Sequence, residues 1–203
     1  MKFSPISAAS PLILASASPR RKRLLKQIGL PFRVMTSQVN ENGIDAAPER
    51  LCRILAEHKA CRLRSKAKKS WVLGADTLVV VDENVLGKPA DEEQAECMLR
   101  MLSAREHRVI TGFCILNPSG AVSRSESVIT TVRIKELSDE EIRAYIATRE
   151  PYGKAGGYAI QGIGSFMVEA ISGSYTNVVG LPLCALIKAL VSAGALKNFP
   201  ILP

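Results

Sequence analysis

The sequence predicts a mixed α/β fold built around hairpins, and three observations predict it. Residues 71–89 form a strongly apolar, β-branched stretch that turns back on itself. Residues 109–134 repeat a strand–turn–strand pattern on a longer scale. The helix-period segments between them do not settle into a doubly wound parallel order. A chain of 203 residues is long enough for one well-cored domain, or one domain with two lobes.

Leu12-Ile13-Leu14-Ala15 reads as a short first strand. Ser18 then caps a helix over 20–28, with Pro19 at its start and Gly29 at its stop. Leu24, Leu25 and Ile28 should face the core. A second strand covers 32–36, and 38–45 is a polar loop carrying Glu41. Pro48 opens a helix to about residue 65, with Lys59 on it. Asp82-Glu83-Asn84 turns the central hairpin, whose return strand delivers Lys88 between Gly87 and Pro89. Asp91 caps a third helix with Ala95, Met98, Leu99 and Leu102 as its buried stripe. Strands at 109–116 and 121–134 flank an Asn-Pro-Ser-Gly turn. Ser138-x-x-Glu141 is a capping box for a helix to about residue 148. Residues 150–164 form a glycine-rich shaped loop. A strand over 166–171, a turn at 172–174, a lead segment at 177–180 and a helix over 183–193 complete the chain.

The chain is 47% apolar and 23% charged, as ordinary globular proteins are. Its charge is uneven. Residues 1–69 carry 15 Lys and Arg against 4 Asp and Glu, whereas residues 70–203 carry 12 against 15. The basic third suggests a polyanionic partner, either nucleic acid or a phosphorylated small molecule. The run RLRSKAKK at 62–69 reads as a solvated face and lacks the aromatics of a single-strand binder, which speaks against nucleic acid. Cys52, Cys61, Cys97, Cys114 and Cys184 form no C-x-x-C pair, and His58 and His107 are the two histidines. That argues against a zinc site and for reduced, buried thiols in a cytoplasmic protein. The apolar run at 11–15 is too short for a secretory signal, and Pro182 and Lys188 interrupt the apolar C-terminal segment, so no membrane span is expected.

Candidate chemistry gathers at few positions. Asp76 lies inside the apolar run, where a carboxylate must be paired, hydrogen-bonded or metal-bound. Gly74 and Ala75 are expected to leave a ligand a narrow approach to it. The plainer alternative is an acid at a strand kink, capped by backbone N–H groups. Ser16, Ser18, Arg20 and Arg21 surround a strand-to-helix turn. Two cations in a first helical turn oppose the dipole unless an anion joins them, so this reads as a phosphate cradle ahead of a plain capped helix. Neither G-x-x-x-x-G-K-[ST] nor G-x-G-x-x-G occurs. Ser16, Arg20, Arg21, Glu41, Lys59, Asp76, Lys88, Lys154 and Gln161 together suit a triphosphate held by cations, with Glu41 and Asp76 left for a divalent metal and for water.

The motifs S-x-S-P-R-R at 16–21, GADT at 74–77, GKP at 87–89 and KAGGYAIQG at 154–162 resemble the Maf family of nucleoside triphosphate pyrophosphatases, over about residues 12–193. The resemblance implies a single Maf-like domain over 1–203 with a two-lobed mixed sheet, flanking helices and an inter-lobe cleft, related to inosine triphosphate pyrophosphatases. It implies metal-dependent hydrolysis, with Mg²⁺ or Mn²⁺, of a nucleoside triphosphate to monophosphate and pyrophosphate. Asp76 resembles the catalytic acid and a metal ligand, and Glu41 the metal-associated glutamate. Val39-Asn40 stands where the family often has a more acidic pair, which weakens the metal assignment of Glu41 relative to Asp76. Ser16, Arg21, Lys59, Lys88 and Lys154 resemble the phosphate-binding set. Arg20, Thr77 and Gln161 match the positions that mark the dTTP/UTP-preferring branch. Expected partners are the nucleotide and, as in many members, a second copy of the chain. Alternatives are a hydrolase of modified nucleotides, and a nucleotide- or nucleic-acid-binding regulator of septum formation.

Overall fold

A computed structural model describes residues 3–36, 39 and 43–201. Its strands are β1 (Leu12–Leu14), β2 (Phe32–Val34), β3 (Val72–Val81), β4 (Asn84–Leu86), β5 (Glu106–Leu116), β6 (Val122–Ile134) and β7 (Val168–Ser172). They form a seven-stranded sheet in the order β2-β1-β3-β5-β6-β7, with β4 hairpinned onto β3. Pairing is parallel for β1 with β2 and with β3, and antiparallel for β3 with β4 and β6 with β7. The expected mixed α/β sheet with flanking helices is therefore present. The chain divides into two compact units, one of residues 1–76, 111–128 and 180–203, the other of 77–110 and 129–179.

In the first unit, helix α1 (Pro19–Gln27) begins as its sequence dictates. The Ser18 hydroxyl accepts the Arg21 N–H at 3.4 Å, and Gly29 ends the helix with φ +66°. Leu24 and Leu25 are buried, while Ile28 is half-buried. Helix α2 (Pro48–Cys61) stops earlier than the sequence suggests, and residues 62–66 continue as turns. Ala56, Ala60, Ile13, Val72 and Cys114 share one core.

The approach of α2 to the sheet rests on two glycines. A Cβ at Gly74 would lie 2.0 Å from the Ala56 carbonyl oxygen and 2.9 Å from the Ala60 nitrogen. A Cβ at Gly112 would lie 2.4 Å from the Cys52 carbonyl carbon and 2.6 Å from the Arg53 nitrogen. Helix backbone packs directly on strand backbone at both places. This corrects the expectation for Gly74: its missing side chain makes room for α2, not for a ligand.

The second unit is cored by Val79, Val81, Leu99, Val109, Val132, Tyr145 and Met167. Helix α3 (Glu92–Leu102) is capped by Asp91, whose carboxylate accepts the Gln94 N–H at 2.8 Å. Helix α4 (Asp139–Ala147) carries both bonds of the expected capping box, at 3.2 Å and 3.0 Å. Three expectations need correction. Phe166 lies in a 3-10 turn (Ile163–Met167), so β7 starts at Val168. The lead segment before residue 180 is a short helix, α5 (Tyr175–Val179), fixed by the buried Asn177 amide donating to the Val109 carbonyl and to Thr130 Oγ1, each at 2.9 Å. Cys97 and Cys184 are exposed rather than buried. Helix α6 (Leu183–Ser192) returns the chain to the first unit. No helix among the described residues is long and apolar enough to cross a membrane.

A methyl at Gly74 has nowhere to go. Gly74→Ala should lower the unfolding free energy by about 3 kcal/mol. Gly87→Ala, whose added Cβ meets nothing within 4 Å, should change it by less than about 0.5 kcal/mol. Urea denaturation of the two variants checks the difference; equal midpoints would contradict the backbone contact.

Candidate active site

Strand order places a site in the first unit. The chain leaves β1 for β2 on one side, and β3 lies on the other side of β1. The carboxyl end of β1, beside parallel β3, is thus a topological switch point, the usual ligand position of an open α/β sheet. Ser16 and the first turn of α1 follow directly from this end. The Ala15 N–H donates to the Leu73 carbonyl at 2.8 Å, which sets the register beside residues 74–76.

The two arginines there differ. Arg21 is 8% exposed. Its Nε donates to the Gly180 carbonyl at 2.8 Å and a terminal nitrogen to Ser16 Oγ at 3.1 Å. Both are acceptors, so the charge that opposes the α1 dipole is partly satisfied from outside the helix. Arg20 is half-buried, and desolvation lowers its pKa below the ordinary arginine value. Ser16 Oγ also accepts the Ser18 N–H at 3.3 Å. A buried guanidinium and a hydroxyl beside a helix N-terminus form an anion-binding arrangement.

Lys59 and Asp76 form the other half. Alternation along β3 puts Gly74 and Asp76 on one side of the strand. The glycine contact draws α2 over that side, and Lys59 Nζ meets Asp76 Oδ1 at 2.5 Å. The two side chains are 15% and 12% exposed. A buried carboxylate joined to an ammonium by a short bond is not capped by backbone N–H groups alone, as the plainer alternative for Asp76 would have it. The acid is held by a cation that comes from a different element, helix α2.

The other candidate residues of the sequence analysis among the described residues belong to the second unit. Thr77 shares a side of β3 with Val79, and a Cβ at Gly156 would lie 2.9 Å from Val79 Cγ1. The Gly156 N–H donates to the Gly87 carbonyl at 2.9 Å, so the GKP turn and the KAGG loop are tied together beside Lys88 and Lys154. Lys88 is exposed and Lys154 half-buried. The Gln161 amide oxygen is buried and has no hydrogen-bond partner among the described residues. Such an acceptor is costly until a ligand donor meets it.

Three residues that sequence reasoning missed support this loop. Lys154 Nζ donates to the Glu150 carbonyl, and the Glu150 carboxylate accepts the Gly164 and Ile163 N–H groups at 2.7 Å and 3.1 Å. His107 Nε2 and the Tyr158 hydroxyl are joined at 2.7 Å, with their rings edge-on. A histidine at the start of an apolar strand and a tyrosine within the loop carry no spacing that announces their pairing.

Glu41 lies outside the described residues. Among the described residues no group of three His, Cys, Asp or Glu side chains gathers as metal ligands. One carboxylate, Asp76, fits Mg²⁺ or Mn²⁺ when substrate phosphates and water complete the shell, since such ions take one or two carboxylates.

Burial pushes the His107 imidazole down to about 4. An unfolded histidine titrates near 6.5. Between those values the unfolded chain takes a proton that the folded chain refuses, so stability is full above pH 6.5 and falls as pH drops toward 4, by up to about 3 kcal/mol. Urea midpoints from pH 7 to 4.5 should fall accordingly in the wild type, and less steeply in His107→Phe.

The comparisons with known proteins agree with the motifs. The family model for the Maf-like protein matches residues 11–193. The chain is 46% identical to a dTTP/UTP pyrophosphatase of Syntrophotalea carbinolica, over 97% of this chain and 90% of the relative. It is 48% identical to a dTTP/UTP pyrophosphatase of Geobacter sp. (strain M21), over 93% and 98%. Among solved structures it is similar to the Staphylococcus aureus Ham1 protein, at 16% identity and TM-score 0.43, over 78% of this chain and 80% of that one.

Proposed function

This chain belongs to the Maf-like family, and we propose that it hydrolyses nucleoside triphosphates, dTTP and UTP foremost, to the nucleoside monophosphate and pyrophosphate. The carrying observation is the Lys59–Asp76 pair beside the Ser16–Arg21 turn at the sheet's switch point. Relatives sharing nearly half their residues with the chain over almost its whole length carry the name dTTP/UTP pyrophosphatase, which supports the substrate.

In this reading Arg21 and Ser16 hold phosphate oxygens at the start of α1, and Lys59, Lys88 and Lys154 neutralise the triphosphate. The triphosphate offers Lys59 a more highly charged partner than one carboxylate. As Lys59 turns to it, Asp76 Oδ1 is released to accept a proton from water. The water oxygen bonds the α-phosphorus, the bond from that phosphorus to the bridging oxygen breaks, and pyrophosphate leaves with that oxygen. Asp76, with Glu41, would hold a divalent ion such as Mg²⁺ or Mn²⁺, which would supply charge neutralisation on the phosphates. Gln161 reads the base. Its buried amide oxygen can accept the N3–H of thymine or uracil, and its NH₂ can donate to a ring carbonyl. Arg20 and Thr77 complete the selection.

Asp76→Asn should lower the rate of pyrophosphate release from dTTP by about 10²–10⁴-fold, with the thermal midpoint within a few degrees of wild type. Wild type should turn over dTTP and UTP faster than dCTP or the purine triphosphates. EDTA should stop release and Mg²⁺ or Mn²⁺ restore it. Wild-type rates in Asp76→Asn would remove that residue from the mechanism, and no release from any nucleotide would refute the reading.

A further inference from the structure

One residue closes the glycine-rich loop at both ends, Glu150 with its backbone at the start and its side chain at the far end. The Glu150 carbonyl accepts the Lys154 ammonium at the start of the loop. Its carboxylate reaches the far end, where Oε1 accepts the Ile163 N–H at 3.1 Å and Oε2 the Gly164 N–H at 2.7 Å. Its own N–H donates to Thr148 Oγ1 at 3.2 Å, anchoring it to the end of α4. The intervening Gly162 has φ +86°, and a Cβ there would lie 2.2 Å from Glu150 Oε1. The residue after Gln161 must therefore be glycine for the carboxylate to reach its two donors.

The carboxylate form matters. Each oxygen takes a different N–H, so the site needs a group that only accepts. A glutamine would turn an NH₂ toward one of those donors and leave it unpaired. Partial burial works against the charge. Even so, the Gly164 N–H, the Tyr145 side chain, the Ile163 N–H and Lys154 together hold the Glu150 carboxyl below its ordinary value.

We propose that Glu150 is the positioning residue that fixes Lys154 and Gln161 in one frame, and thereby sets discrimination between thymine or uracil and cytosine. This rests on the pyrophosphatase reading above. A glutamine amide can match either pyrimidine edge after a half-turn about its terminal bond. Selectivity then depends on the frame that holds it, and the frame is closed by Glu150.

The test uses the full chain and the variant Glu150→Gln, with dTTP and dCTP as substrates. KM for dTTP should rise about tenfold and the dTTP-over-dCTP preference in kcat/KM should fall about tenfold, while kcat for dTTP changes by less than about threefold. A variant that merely lost active protein would lower kcat and leave KM and preference alone. Amide exchange at Ile163 and Gly164 should quicken. Gly162→Ala, which pushes on the same carboxylate from the loop side, should reproduce the KM and preference changes. Wild-type KM and preference in both variants, or unchanged exchange at the two amides, would overturn the assignment. Should the wild type hydrolyse neither nucleotide, the pyrophosphatase reading and the substrate role built on it would both fall, while exchange would still decide whether Glu150 holds the loop.

Discussion

The backbone contact between α2 and the sheet governs the first unit. Two glycines, Gly74 and Gly112, bring a helix closer to two strands than any side chain would permit. The consequences run from packing to chemistry. Ala56 and Ala60 bury against Val72 and Ile13, and the same approach carries Lys59 to Asp76. An ordinary helix-to-sheet spacing would leave a lysine groping through solvent for its acid. Here the packing of α2 on β3 delivers the ammonium to the acid.

In the second unit the constraint is the closing of a loop that has little regular structure of its own. Glycines with positive φ at 153, 156, 157 and 162 give the loop its shape. Three side-chain or backbone ties then hold it: Glu150 to both ends, Gly156 to Gly87, and Tyr158 to His107. Irregular backbone costs conformational entropy to fix. A loop fixed this heavily leaves Lys154 and Gln161 little freedom, and the ties leave the buried side-chain oxygens of Gln161 and Tyr152 without a hydrogen-bond partner among the described residues.

Local signals in the sequence translated well. The Ser18 cap, the Pro19 start, the Asp91 cap and the Ser138–Glu141 box each act within four residues, and each is found. Asp76 and Lys59 both stood out in the sequence as candidates, but their pairing did not, because it depends on where α2 crosses β3. Gly74 was misread for the same reason: a missing side chain says that something comes close, not what. Glu150 escaped notice because its partners are backbone N–H groups 13 and 14 positions away, and backbone donors leave no trace in residue identity. The short α5 was hidden too, since its anchor is a single buried asparagine bonded across to Val109 and Thr130.

The first unit is assembled from three separate stretches of chain, the last beginning at residue 180. Its buried arginine is tied to that last stretch, Arg21 to the Gly180 carbonyl across 159 positions, and the N-terminal segment is tied there as well, with the Ile6 N–H on the Ala195 carbonyl at 2.8 Å. During synthesis on the ribosome, residues 77–110 and 129–179 emerge complete before these bonds can form. The nascent chain therefore carries its basic N-terminal third with these ties still unmade until residues 180–195 have emerged, and closing so long a segment is the slow, non-local kind of step. The order of completion runs opposite to the order of synthesis: the unit begun first is the unit finished last.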